Sequence, residues 1–228
     1  MRARELRGRI TDAIGADLGA IVPGSEGAAA LKKELIAAGL WSQYLEVGIG
    51  PDAEIFTKTP VLASVGHGER IGIRRDSVWN NPEPEVVLAV AADGRIRGAA
   101  LGNDVNLRDF EGRSALLLPE AKDNNASCAI GPFIRLFEDG FTLDDLMATD
   151  VTVSVQGTDG FTTGGANRLS RISRDPRALV AQALDGTARV STDPLASPTG
   201  FPFKVAQLNG TLSEDAVYRQ RHRICDLG

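Results

Sequence analysis

The chain has 228 residues, 43% of them hydrophobic and 24% charged, with a formal net charge of −5. That is length enough for one sizeable core, and the composition is that of a folded protein. The acidic balance argues against a nucleic-acid partner, which needs a concentrated basic surface, and no apolar run is long enough to cross a bilayer. Cys128 and Cys225 are too few and too far apart for a disulfide framework or a zinc site. Met1–Arg7 lacks the apolar stretch of a secretory leader, so a reducing cytoplasm is the expected compartment.

Two helices are expected first, one over Arg2–Leu18 and one capped by Ser25, with an apolar stripe of Ala29, Leu31, Leu35 and Ile36 and Gly39 near its end. From Tyr44 the texture turns to short β-rich pieces: Tyr44–Gly48, Ile55–Lys58, Ile71–Ile73, Glu85–Val90 and Ile96–Val105. Asp93-Gly94 joins the last two as a hairpin turn. A brief helical stretch is expected at Glu111–Leu118, strands at Ala129–Phe137 and Val151–Gln156, and a helix from Asp175-Pro176 through Leu184. Beyond it Asp193-Pro194, Ser197-Pro198 and Phe201-Pro202 break any regular element, and a short helix over Ser213–Arg221 follows. The fold class is therefore α+β, β-dominated with N-terminal helices. Residues 1–184 are expected to form one domain and 185–228 a loosely structured tail.

The chemistry is concentrated between Asn80 and Gly131. In an extended Glu83-Pro84-Glu85 both carboxylates point to one face. In a hairpin centred on residues 93 and 94, position 83 falls opposite roughly position 104, which brings Asp104 beside them. Three carboxylates, completed by water and a chelating substrate, make the open octahedral site that Mg²⁺ or Mn²⁺ prefers. Lys122 follows in Ala121-Lys122-Asp123-Asn124-Asn125-Ala126-Ser127-Cys128, as an ammonium to hold a substrate carboxylate or, with a lowered pKa, to exchange a proton. The competing reading is bland, since an E-x-E pair on a strand is usually a solvated face, and spacing alone does not decide between them.

Three motifs then carry a resemblance. Asn81-Pro82-Glu83-Pro84-Glu85-Val86, Gly102-Asn103-Asp104-Val105-Asn106-Leu107-Arg108-Asp109, and Lys122 ahead of Cys128-Ala129-Ile130-Gly131-Pro132 together resemble the fumarylacetoacetate hydrolase superfamily. Trp41–Glu54, Trp79–Glu85 and Asp109–Leu118 look like its bacterial 2-keto-3-deoxy-D-xylonate or D-arabinonate dehydratase branch. The resemblance implies a mixed β-roll, metal ligands at Glu83, Glu85 and Asp104, an active-site lysine at Lys122, and a homodimer. It implies dehydration of a 2-keto-3-deoxy pentonate to 2-oxoglutarate semialdehyde. In that chemistry the metal-chelated 2-oxo acid loses a C3 proton to give an enolate, which expels the C4 hydroxyl as water. The metal site suits a hydrolase or decarboxylase of a related acid equally, and a metal-binding fragment without turnover is the reading from another class.

Asn81, Asn103, Arg108 and Asp109 are expected to line the pocket or to orient the ligands. His67 and Glu69 are read as an exposed turn, Cys128 as packing, and His222 as part of a solvated face. Members of the branch carry a further N-terminal region and further strands past the position of Leu184, so the roll is expected to be incomplete, with exposed edges and apolar surface. Ala196–Val205 and Arg223–Gly228 resemble instead a C-terminal stretch of the nitronate monooxygenases.

Overall fold

The computed structural model describes residues 21–185, apart from Val61 and Ala92. The helices expected at Arg2–Leu18 and Ser213–Arg221, the tail 185–228 with its second resemblance, His222 and Cys225 lie outside the described side chains. The described residues divide into two compact units, 21–54 with Ser173–Gln182, and 55–172 with 183–185.

In the first unit, α1 (Glu26–Ala37) starts where Ser25 Oγ accepts the Ala28 N–H. It buries Ala28, Leu31 and Leu35 along one stripe, and Gly39 (φ 69°) closes its end in the left-handed conformation. The expected strand Tyr44–Gly48 is instead part of α2 (Gln43–Ile49). Ser42 Oγ caps it by accepting the Leu45 N–H, with Glu46 in the first turn. Leu45 and Ile49, one turn apart, pack on Leu31 and Leu35 with Ile21 and Trp41. The period of four was masked by the alternation of Tyr44, Glu46 and Gly48 with Leu45 and Val47. Arg174 Nη2 donates to Val47 O and Gly50 O, both at 2.8 Å, satisfying carbonyls at the end of α2.

The second unit is organised by an antiparallel hairpin of β2 (Pro84–Val90) and β3 (Ile96–Asp104), preceded by the short β1 (Asn80–Asn81). Val90 pairs with Ile96, but a bulge between Ala89 and Val90 absorbs one residue, so Ala89 pairs with Gly98 and Pro84 with Asn103. One step further the Asp104 N–H donates to Glu83 O at 3.0 Å, which is the expected juxtaposition of 83 and 104. β4 (Asn106–Leu107) pairs with β1, matching Asn81 with Asn106. Helices α3 (Arg108–Glu111) and α4 (Leu118–Lys122), with a 3₁₀ turn at Ala115–Leu117, replace the single helix expected at Glu111–Leu118. Gly112 ends the first, and Pro119 starts the second where a missing N–H costs nothing. Leu107, Phe110 and Ala121 pack together with Ile73.

The far edge of β3 is shared by β5 (Cys128–Ile130) and β6 (Arg135–Leu136). These were expected as one strand, Ala129–Phe137. Gly131-Pro132 divides it, since proline cannot donate to a ladder. The expected strands Ile55–Lys58 and Ile71–Ile73 form no ladder; the second is tied to the turn ahead of the next strand by the Gly72 N–H to Ala126 O bond of 2.7 Å. Two elements lacked a strong apolar signal: α5 (Leu143–Met147), opened by a capping box of Thr142 and Asp145, and β8 (Thr162–Arg168), the partner of β7 (Asp150–Gln156). The expected C-terminal helix is α6 (Pro176–Asp185). Among the described residues the sheets do not close into a barrel, and Leu101, Phe133 and Leu136 stand exposed. None of the described helices is long and apolar enough to cross a membrane.

Candidate metal centre

Strands β2 and β3 place the three carboxylates. Glu85 pairs with Gly102, and Asp104 lies two residues along β3, so both side chains fall on one face of the sheet. Glu83 sits just before β2, its N–H donating to Asn103 Oδ1 at 3.0 Å. Ligand oxygens of Glu83, Glu85 and Asp104 lie within 4.8 Å of one another. The side chains of Glu85 and Asp104 are 2% and 0% exposed, and that of Glu83 is 24%. Thus Glu85 and Asp104 do not form the solvated face that was the bland reading, and Glu83 alone is reachable from solvent.

Two buried lysines meet them. Lys122, at the end of α4, donates to Glu83 Oε2 and, at 2.9 Å, to Asp104 Oδ2. Lys58 was not singled out by the sequence. Its Nζ lies 2.6 Å from Asp104 Oδ2 and 3.1 and 3.0 Å from the two oxygens of Glu85. The Phe56 ring lies under both ammonium groups, 4.6 Å from Lys58 Nζ and 5.9 Å from Lys122 Nζ. The one available signal was parity: in an extended Ile55-Phe56-Thr57-Lys58, residues 56 and 58 share a face. Ser127 joins the two lysine segments, its Oγ lying 2.6 Å from Lys122 O and 2.8 Å from Lys58 O.

The polar surround explains several expected site residues. Asn106 Nδ2 donates to Glu83 Oε1 at 3.0 Å and to Glu111 Oε2 at 2.6 Å, and Arg108 Nη1 holds that same Glu111 oxygen at 2.7 Å. Arg108 therefore reaches the cluster through Glu111 and Asn106, two residues the sequence did not flag. Asp109 faces elsewhere, accepting from Ser77 Oγ at 2.8 Å and from the Val78 N–H at 2.9 Å, and so ties the segment ahead of β1 to α3. Asn81 Nδ2 donates to Pro82 O at 3.2 Å. His67 lies in an exposed turn between Gly66 and Gly68, and Cys128 is buried, as expected of both.

Burial pushes the Glu85 carboxyl up to about 7; the neighbouring charge of Asp104 adds to this, while Lys58 opposes it. Burial also works to lower Lys122, but the charges of Glu83 and Asp104 and their hydrogen bonds outweigh it and hold the ammonium above the usual lysine value. That is the opposite of the lowered pKa a proton-exchanging lysine needs. Burial, with Asp104 nearby, raises the Cys128 thiol to about 12, so it is not a nucleophile.

The donor set is three hard carboxylates with no thiol or imidazole among them, suited to Mg²⁺ or Mn²⁺. Asp104 Oδ2 is occupied by both lysines, yet its buried Oδ1 has no hydrogen-bond partner. A buried acceptor left open beside two further carboxylates fits a cation.

Comparison with known proteins points the same way. No family model matches the chain. Over 138 residues it is 33% identical to the probable 2-keto-3-deoxyxylonate dehydratase of Haloferax volcanii, covering 60% of this chain and 46% of that protein. Over 81 residues it is 43% identical to the 2-dehydro-3-deoxy-D-arabinonate dehydratase of Saccharolobus solfataricus, covering 36% of this chain and 27% of that protein. A solved 2-keto-3-deoxy-D-arabinonate dehydratase, complexed with magnesium and 2,5-dioxopentanoate, matches with a TM-score of 0.56 and 31% identity over 61% of this chain and 48% of that one. Over the aligned residues the chain is similar to 2-keto-3-deoxy sugar-acid dehydratases. It spans about half the length or less of these dehydratase relatives.

Proposed function

We propose that this chain carries the metal and substrate site of a hydro-lyase that dehydrates 2-keto-3-deoxy pentonates to 2-oxoglutarate semialdehyde. The observation that carries the reading is the carboxylate triad of buried Glu85 and Asp104 with half-buried Glu83, and the open Asp104 Oδ1. The names and ligands of the related dehydratases support the substrate class. Glu83, Glu85 and Asp104 would hold Mg²⁺ or Mn²⁺. A divalent cation there supplies the Lewis acidity that makes the C3 hydrogens of a 2-oxo acid acidic.

The chain's own residues supply the rest. A bound divalent cation would hold Glu85 ionised; three carboxylates and two ammonium groups then sum to −1, the cation would bring the cluster to +1, and a monoanionic acid would bring it to neutrality. The charge arithmetic thus supports an anionic substrate, and the names of the related dehydratases support a small carboxylic acid. Lys122 stays protonated beside Glu83 and is suited to hold that carboxylate or an oxygen gaining negative charge. Glu83, the solvent-reachable member, marks the side from which the acid enters. Asn106 and Asn103 fix the Glu83 side chain and backbone so that its oxygens are presented in one orientation.

The test is thermal melting with Mg²⁺ or Mn²⁺, with and without oxalate as a 2-oxo-acid mimic, for the wild type and Glu83→Gln. A metal-dependent rise that grows with oxalate and disappears in the variant supports the site. Product analysis on keto-deoxy pentonates then decides the reaction. A semialdehyde formed without loss of carbon supports dehydration; carbon loss or C–C cleavage overturns it in favour of a decarboxylase or hydrolase.

A further inference from the structure

We infer that Lys58 is a resident counter-cation: it neutralises Glu85 and Asp104 while no metal is bound, and it competes with the metal for them. This rests on the metal-site reading above and concerns how that site is kept ready. Among the described residues Lys58 alone donates to the Glu85 carboxylate, engaging both of its oxygens at 3.1 and 3.0 Å, and it reaches Asp104 Oδ2 at 2.6 Å. The ammonium therefore stands where two ligand carboxylates converge, at 4% exposure, the position a cation must take.

Removing it would leave three carboxylates facing Lys122 alone, and an uncompensated buried charge is costly. Glu83 has other support, from Asn106, Lys122 and partial exposure; Glu85, buried, has besides Lys58 only the charge of Lys122, which makes no hydrogen bond to it among the described residues. Metal entry disturbs this arrangement. Mg²⁺ binds oxygen at about 2.0–2.1 Å, well inside ammonium contact distance, so a cation placed between Glu85 and Asp104 would compete with Lys58 Nζ for that position and repel its charge. Asp104 Oδ1 is open and needs no such exchange. The lysine backbone is pinned independently, Lys58 O by Ser127 Oγ at 2.8 Å and Thr59 Oγ1 to Asn124 O at 2.9 Å, so the yielding part is the side chain. The device keeps the metal-free protein folded at the expense of metal affinity.

The test uses the full chain as wild type, Lys58→Met, and Lys58→Met with Glu85→Gln, which restores the cluster charge to −1. Melting is followed in chelator and in saturating Mn²⁺, and Mn²⁺ affinity is read from free Mn²⁺ by electron paramagnetic resonance. Lys58→Met is expected to lose much more melting temperature in chelator than in Mn²⁺. It is expected to bind Mn²⁺ on the order of tenfold more tightly, as for the loss of one competing ion pair. The double variant is expected to regain stability in chelator. Equal losses in chelator and Mn²⁺, or unchanged or weaker Mn²⁺ binding, would overturn the proposal and leave Lys58 a structural prop. If Lys58→Met does not fold at all, the double variant decides: folding in chelator supports charge compensation, and failure overturns it. A wild type that neither binds Mn²⁺ nor melts higher with it overturns the metal site itself, a distinct result.

Discussion

Two antiparallel hairpins in this molecule, β2–β3 and β7–β8, each pair seven residues in one strand and turn near an Asp-Gly, yet they do opposite things. Along β7, Asp150, Thr152, Ser154 and Gln156 are exposed while Val151, Val153 and Val155 are half-buried, as in a sheet with one covered face. Along β2, Glu85, Val86, Val87 and Leu88 are buried in succession, so both faces are covered. A carboxylate in the second kind of strand cannot be solvated. It must be paired, protonated or bound to a cation, and Glu85 is held by Lys58. The difference shows that the bland reading of an E-x-E pair is tested by the residues that follow it: Val86-Val87-Leu88 is a run, where a solvated strand alternates.

The contrast can be broken first at Asp104. Replacing it with Ala strands Lys58 and Lys122 beside fewer carboxylates, at an expected cost of about 3–5 kcal/mol in metal-free denaturant unfolding. A loss comparable to that of an exposed residue would mean the cluster is not buried in solution. Next, Leu88→Ala on β2 is expected to cost about 3 kcal/mol, while Val153→Ala on β7 should cost about 1 kcal/mol or less, both read from urea midpoints. Similar losses at the two positions would erase the distinction between the hairpins. A smaller effect is expected at Thr142→Ala, which removes the capping box of α5 and should cost about 1 kcal/mol by thermal melting. Smallest is Ala126→Gly. Ala126 holds φ 60° beside Ser127, and glycine there should gain a few tenths to about 1 kcal/mol, seen as a slightly higher melting temperature.

The central hairpin and its three carboxylates were legible because they depend on a local turn and on period-two geometry, which sequence displays directly. Lys122 was legible through resemblance. Lys58 was not, because its role comes from a segment that makes no ladder and is anchored through side-chain bonds to residues 124 and 127. Nothing near position 58 announces Ser127. Asn106 and Glu111 escaped for a related reason: their carboxamide and carboxylate meet only once the single turn of α3 carries Glu111 back beside β4. The misread strand at Tyr44–Gly48 was decided by one hydroxyl, Ser42, and by packing on Leu31 and Leu35.

The bulge at Ala89/Val90 also sets how this protein can be altered. Strand faces obey parity: slipping the pairing by one residue turns Asp104 to the opposite side of the sheet from Glu85. Insertions or deletions in the 91–95 turn are therefore not graded perturbations but odd or even ones. An odd slip turns Asp104 away from Glu85, while an even one keeps it on the same face but carries it about 7 Å along the strand, so in a library of turn lengths only proteins that absorb the change within the turn itself should keep the ligand set and bind metal.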